Sequence, residues 1–184
     1  MVLTGGASRR MGRNKALIDI DGIPMARRVA MALDDAGCVA VRAYGGDPRE
    51  LAPVGIRVDR DRYPATGPLG GVLGALEVIA EEFPDGAMFA AACDLAYLTG
   101  DALLAMVASA RCEPSAQVVV ARTSILEPAC AIWRTSASGA LRAIFDEGVR
   151  ALHVAIARLD VLEVAVDPAA LRNINTPEEL ERCR

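Results

Sequence analysis

Residues 87–94 read AMFAAACD. An unbroken apolar run from Ala87 to Cys93, closed by a carboxylate, is the pattern of a strand buried on both faces of a parallel sheet. It places Asp94 at the strand's carboxyl end, the edge where open α/β sheets bind ligands. Working outward, strand and helix patterns alternate. Met1 to Thr4 reads as the end of a strand, Gly5 to Asn14 as a loop, and Pro24 to Asp35 as a helix stopped by Gly37. Val39 to Tyr44 is a second strand, Pro48 to Leu51 a helical turn, and Ile56 to Val58 a third strand leading into polar residues 59–67. Gly71 to Glu82 is helical, and Thr99 to Ser109 is a helix with its own N-cap. Gln117 to Ala121 and Ala129 to Trp133 are strands, Ser136 to Phe145 and Ala151 to Leu159 helices, and Leu162 to Val166 a strand. Thr176 to Cys183 closes the chain as a helix with Thr176 as N-cap, Pro177 at the first position and Glu179 at the third.

This alternation predicts an α/β fold: right-handed crossovers and a doubly wound, mostly parallel sheet in one domain spanning residues 1–184. Only 4% of residues are aromatic, which suits a parallel sheet under Ala-rich helices better than a sandwich. The first strand has three or four residues where a central strand usually has about five or six, which leaves open a native start upstream of Met1.

With 20 basic and 24 acidic residues, the net charge is -4, and no basic footprint for nucleic acid or an anionic membrane is present. Five cysteines without a C-x-x-C pair indicate neither a zinc site nor a redox motif. No apolar run approaches the ~20 residues of a membrane helix, and no secretory leader pattern is seen. A soluble, cytoplasmic chain is the expectation.

Against this acidic background, residues 3–15, LTGGASRRMGRNK, set four cations, Arg9, Arg10, Arg13 and Lys15, beside Gly5, Gly6 and Gly12. Glycines can turn backbone N–H groups inward as an anion nest, and Ser8 adds a hydroxyl, so phosphate is the natural guest. A plain surface turn is the alternative. The spacing matches neither a Walker loop nor the G-x-G-x-x-G of dinucleotide folds. Transfer of a phosphoryl or nucleotidyl group also needs a divalent ion, and Asp94 has the position of a magnesium ligand or, more plainly, of a helix cap. The lone histidine, His153, falls in a helical stretch, and no Ser/His/Asp set is sought.

The loop resembles the signature of a family of nucleotidyltransferases that includes the molybdenum cofactor guanylyltransferases, related cytidylyltransferases and sugar-phosphate nucleotidyltransferases. The Leu-x-Gly-Gly form, with Arg10-Met11-Gly12 and Lys15 three residues on, is most similar to the guanylyltransferases. The resemblance continues in order through Asp21-Gly22-Ile23-Pro24, Gly67-Pro68-Leu69-Gly70-Gly71, Cys93-Asp94 and Asn173-Ile174-Asn175-Thr176-Pro177. It implies a Rossmann-like, glycosyltransferase-A-like fold and transfer of GMP from GTP to molybdopterin, with a cytidylyl- or sugar-phosphate transferase and a non-catalytic nucleotide-binding protein as alternatives. It also implies Mg²⁺ on Asp94, nucleotide contacts from Leu3, Thr4, Gly5, Gly6, Lys15, Asp59, Gly67, Pro68 and Asp94, and a pterin side formed by Arg150, Asn173 and Asn175. Lys15, helped by Arg10, would meet charge on the departing pyrophosphate. Either Asp59 or Asp61, which flank Arg60, serves the nucleotide position. Two departures are visible: Arg42 stands where relatives often carry a base-reading asparagine, and Ala151 where they keep serine or arginine. Partners implied are GTP and molybdopterin, and transient contact with other cofactor-biosynthesis proteins or recipient enzymes. Stoichiometry is open.

Overall fold

The computed structural model describes residues 1–5 and 14–174. Its strands are β1 (Val2–Leu3), β2 (Asp19–Ile20), β3 (Ile23–Pro24), β4 (Ala43–Tyr44), β5 (Val58–Asp59), β6 (Ala87–Ala92), β7 (Val118–Arg122), β8 (Leu126–Arg134) and β9 (Val161–Ala165). The α-helices are α1 (Met25–Asp35), α2 (Gly67–Glu82), α3 (Gly100–Cys112), α4 (Ser138–Asp146) and α5 (Leu152–Ile156). One sheet runs in the order β5-β4-β1-β6-β8-β7-β9, and β2 and β3 form a separate hairpin.

The apolar run of residues 87–93 is explained by the two faces of β6. Phe89 and Ala91 enter the core under α1 and α3, while Met88 and Ala90 enter the core under α2, α4 and α5. In β7, Val119 and Ala121 face the first layer and Val118 and Val120 the second. Period-two alternation is invisible in such a strand because both sides are dry. Helix ends follow local chemistry. Gly37, at φ 85°, turns the chain out of α1 while the Cys38 N–H returns to Leu33 O at 3.1 Å. Thr99 Oγ1 accepts from the Ala102 N–H at 3.3 Å to start α3.

Two elements differ from expectation. β8 is antiparallel to both β6 and β7. The few residues between β7 and β8 cannot hold a parallel crossover, which needs about a dozen or more; instead a turn at Thr123–Ile125 reverses the chain. Four of the six neighbouring pairs remain parallel, counting β5·β4, β4·β1, β1·β6 and β7·β9. The β2–β3 hairpin was unforeseen: Asp21 at φ 54° and Gly22 at φ 84° are the Asp-Gly pair of a primed two-residue turn. The closing helix expected at 176–183 lies outside the described residues.

α2 presents bare backbone to its neighbours. A Cβ on Gly74 would stand 2.0 Å from Tyr44 Oη, and one on Gly70 would stand 1.9 Å from Thr66 Oγ1. Gly74→Ala is therefore expected to lower stability by about 1–3 kcal/mol through overpacking. Tyr44→Phe, which removes the nearest atom, should recover part of that loss in the double variant; chemical denaturation of the four proteins in the cycle checks this.

Candidate active site

β1 lies between β4 and β6, at the point where the connections turn from one side of the sheet to the other. The loops leaving these three strands meet at its carboxyl edge. Thr4 is buried, and its Oγ1 donates to the paired carbonyls of Gly45 at 2.7 Å and Tyr44 at 3.1 Å. The backbone N–H groups of Thr4 and Gly5 both reach Tyr44 O, at 3.0 and 3.2 Å. Gly45, at φ 85°, passes so close that a Cβ there would sit 2.8 Å from Gly5 Cα. Only glycine fits this approach. Leu3 belongs to β1 itself, and its carbonyl accepts the Cys93 N–H at 3.2 Å, which fixes the height at which Asp94 leaves the sheet.

Lys15 begins a 3-10 turn, Lys15–Leu17, whose cap is Asn14: its Oδ1 accepts from the Ala16 N–H at 3.1 Å. Lys15 Nζ stands 3.0 Å from Asp94 Oδ2, with side chains only 17% and 22% exposed. At this burial the pair is held more firmly than a solvated surface pair. The Asp94 carbonyl accepts the Ile174 N–H at 3.2 Å, so exposed Asn173 is brought beside Asp94. Burial, and then the Asp94 charge, push the neighbouring Cys93 thiol up to about 12. Cys93 is thus a neutral thiol near neutral pH, with no thiolate to offer as a nucleophile.

A cavity of about 640 Å³ opens beside Thr4, Gly5 and Asn14, with Glu50, Arg60 and Asp61 on its other walls. The volume lies within the range of small-molecule sites. Asp61, rather than Asp59, lines it. Asp59 is instead held in an ion-pair cluster: its Oδ1 accepts from Arg57 Nε at 3.0 Å and its Oδ2 lies 3.8 Å from Arg42 Nη1. Arg42 also pairs with Glu82 at the end of α2. Arg42 and Asp59 therefore fasten the β4–β5 side of the sheet to α2. Asp61 Oδ1 accepts from the Tyr63 N–H at 2.9 Å, and its other oxygen is directed toward Gly5, 3.7 Å from where a Cβ would stand.

Gly67 and Pro68 open α2 against the α4–α5 turn. A Cβ on Gly67 would lie 3.4 Å from Arg150 O, and the Leu69 N–H donates to that same carbonyl at 3.2 Å. The structure thus joins Gly67, Pro68 and Arg150, although through the Arg150 backbone. The Arg150 guanidinium donates to Phe145 O and Val149 O, each at 2.7 Å, and stacks 3.9 Å over the Phe145 ring. His153 is exposed on α5. Gly6, Arg10 and Asn175 lie outside the described residues. Sequence reasoning missed Gly45, Glu50 and Arg60; the available signal was the Gly45-Gly46 pair at a strand's carboxyl end, a second glycine turn facing the first.

Among the described residues no group of three or more His, Cys, Asp or Glu side chains could hold a metal ion. Asp94 alone fits the modest demand of magnesium, which takes one or two carboxylates and completes its shell with water and substrate phosphate oxygens. No helix among the described residues is long and apolar enough to cross a membrane.

Residues 1–161 match the family model for the MobA-like NTP transferase domain. The chain is 31% identical over 186 residues to the molybdenum cofactor guanylyltransferase of Rhodobacter capsulatus, covering 99% of this chain and 92% of that protein. It is also 31% identical over 186 residues to the enzyme of the same name from Cereibacter sphaeroides, covering 99% and 93%. In fold it is similar to the crystal structure of molybdopterin-guanine dinucleotide biosynthesis protein A from Archaeoglobus fulgidus, with a TM-score of 0.77, 22% identity and coverage of 99% and 94%. With a doubly wound sheet, a glycine turn at its switch point and a Lys15–Asp94 pair on the same edge, the chain belongs to the MobA-like NTP transferase family.

Proposed function

We propose that this nucleotidyltransferase moves GMP from GTP to molybdopterin or its molybdenum-loaded form, giving the guanine dinucleotide cofactor and pyrophosphate. The observation that carries the reading is the Lys15–Asp94 pair at 3.0 Å on the edge shared by Thr4 and Gly5. A cation for phosphate and a carboxylate for a divalent ion stand together where the sheet binds ligands. The names of the two relatives, each aligned over nearly the full chain, support the base and the acceptor.

In this mechanism the triphosphate lies along Leu3, Thr4, Gly5 and Gly6, between the cavity and Lys15. A terminal phosphate oxygen of the pterin attacks the α-phosphorus in line as the bond to pyrophosphate breaks, so no covalent enzyme intermediate forms. Lys15, with Arg10, neutralises charge on the departing pyrophosphate. Asp94 would hold Mg²⁺, which supplies neutralisation across the phosphate oxygens. Lys15, which pairs with one Asp94 oxygen, would turn toward the triphosphate as it arrives. Asp61, rather than Asp59, is the nucleotide carboxylate in this scheme, with Gly67 and Pro68 as rigid backbone close to the base. Arg150, Asn173 and Asn175 serve the pterin side, and Arg150 would have to leave its perch on Phe145 to do so. The reading puts the reaction in the cytoplasm, in transient contact with other cofactor-biosynthesis proteins or recipient enzymes.

Pyrophosphate release in the presence of Mg²⁺ and purified molybdopterin, with GTP, CTP, ATP and UTP offered in turn, tests the reading. GTP-selective release is expected, reduced about 100-fold or more by either Asp94→Ala or Lys15→Ala. Preference for CTP would move the protein to the cytidylyl class, and release untouched by both substitutions would reject the site. The two aspartates should separate cleanly. Asp59→Asn is expected to cost about 1–3 kcal/mol in chemical denaturation, the scale of a lost charged hydrogen bond, with the KM for GTP within about twofold of wild type. Asp61→Asn should do the reverse, raising that KM about tenfold at near-native stability; inverted results would return the nucleotide role to Asp59.

A further inference from the structure

Residues 60–66 wall the cavity with Arg60, Asp61, Pro64 and Ala65, while Tyr63 in the middle of the segment turns away from it. Its ring packs against the core under α2, 5.3 Å from the Phe145 ring centroid. Its hydroxyl donates to Glu77 Oε2 at 2.8 Å and accepts from the Arg142 guanidinium, which also pairs with Glu77. Arg142 further lies 4.8 Å over the Tyr63 ring. Glu77 is thus a mostly buried carboxylate, 17% exposed, that gathers a phenol from the loop, a guanidinium from α4 and, at 3.8 Å, Arg62 from the loop again.

The Tyr63 backbone extends this anchorage to the cavity. Its N–H is the group that fixes Asp61 Oδ1, and its carbonyl accepts the Thr66 hydroxyl at 2.5 Å and the Thr66 N–H at 3.3 Å. The Arg62 N–H is meanwhile held by Tyr44 Oη at 2.8 Å. The loop has no regular secondary structure of its own, so the rotamer of Asp61 is set by where Tyr63 is held. Resting on the nucleotide-binding reading of this cavity, we propose that Tyr63, anchored by Glu77 and Arg142, is a positioning residue that presets Asp61 for the nucleoside triphosphate. Tyr63 touches no substrate itself; it acts through Asp61. The anchor reaches across from α4, so a residue far from the cavity in sequence, Arg142, governs how firmly triphosphate is held.

Tyr63→Phe is the test, since it keeps the ring packed on Phe145 and removes only the hydroxyl. Binding of a fluorescent GTP analogue, and of its CTP counterpart, is measured without pterin. The dissociation constant is expected to rise about tenfold, matching loss of one or two hydrogen bonds, with Arg142→Met producing a similar rise. In steady state the KM for triphosphate should rise by the same factor while kcat and the KM for pterin stay within about twofold. In an Asp61→Asn background the Tyr63→Phe change should have no further effect on binding, because the group it positions is gone. A stability defect alone would weaken binding equally in both backgrounds, and that outcome overturns the proposal, as does unchanged binding in Tyr63→Phe. If the wild type prefers CTP, the proposed reaction falls, yet the comparison of backgrounds with the bound analogue still decides the role of Tyr63.

Discussion

The hydrogen bonding of β1 on both of its edges holds the molecule's chemistry in one place. Val2 N–H meets Arg42 O at 2.7 Å on one side, while Met1 O and Leu3 O accept the Ala91 and Cys93 N–H groups on the other. Two strand residues thereby set the relative height of three loops: Thr4–Gly5, Gly45–Gly46 and Cys93–Asp94. The Thr4–Gly5 turn, the second glycine turn and the acidic strand end are aligned by backbone, before any side chain is considered. Lys15 then closes the arrangement from the far end of the glycine-rich loop, and the Ile174 N–H closes it from the carboxyl-terminal segment.

In a chain with a net charge of -4, carboxylates need partners, and the ion pairs along α2 supply them. Asp59 and Glu82 are matched by Arg42 and Arg57, and Glu77 and Glu81 by Arg62 and Arg142. These pairs neutralise one flank of α2, while Asp94 is matched by Lys15, a cation on a flexible stem rather than a rigid arginine fork.

Much of this could be read in the sequence, for reasons that differ by element. The run through β6 announced a doubly buried strand, and its terminal carboxylate announced the ligand edge; both are local signals. Gly37 and Thr99 marked helix ends because capping is decided within a few residues. Lys15 and Asp94 stand 79 residues apart in the chain, and their contact is visible only in the structure. The antiparallel return of β8 was hidden by expecting each strand to be followed by a crossover, although the short connection after β7 excludes one. The Asp21-Gly22 hairpin was noted as part of a resemblance but not for its turn chemistry. The choice between Asp59 and Asp61 could not be made locally, because it depends on Arg42 and Glu82 approaching from two other elements.

The glycines of α2 carry a consequence for how the protein breathes. Gly70, Gly71 and Gly74 crowd the first half of the helix, and each costs roughly 0.8–1 kcal/mol of helix propensity relative to alanine. The preference of that half for helix is low, and Tyr44, Tyr63 and Thr66 pack against its bare, buried backbone. Helix and cavity wall are therefore packed as one cooperative unit, so that local opening of one is expected to involve the other. A nucleotide that settles against the wall would slow amide exchange well beyond the residues it touches, along the buried side of a helix it never meets.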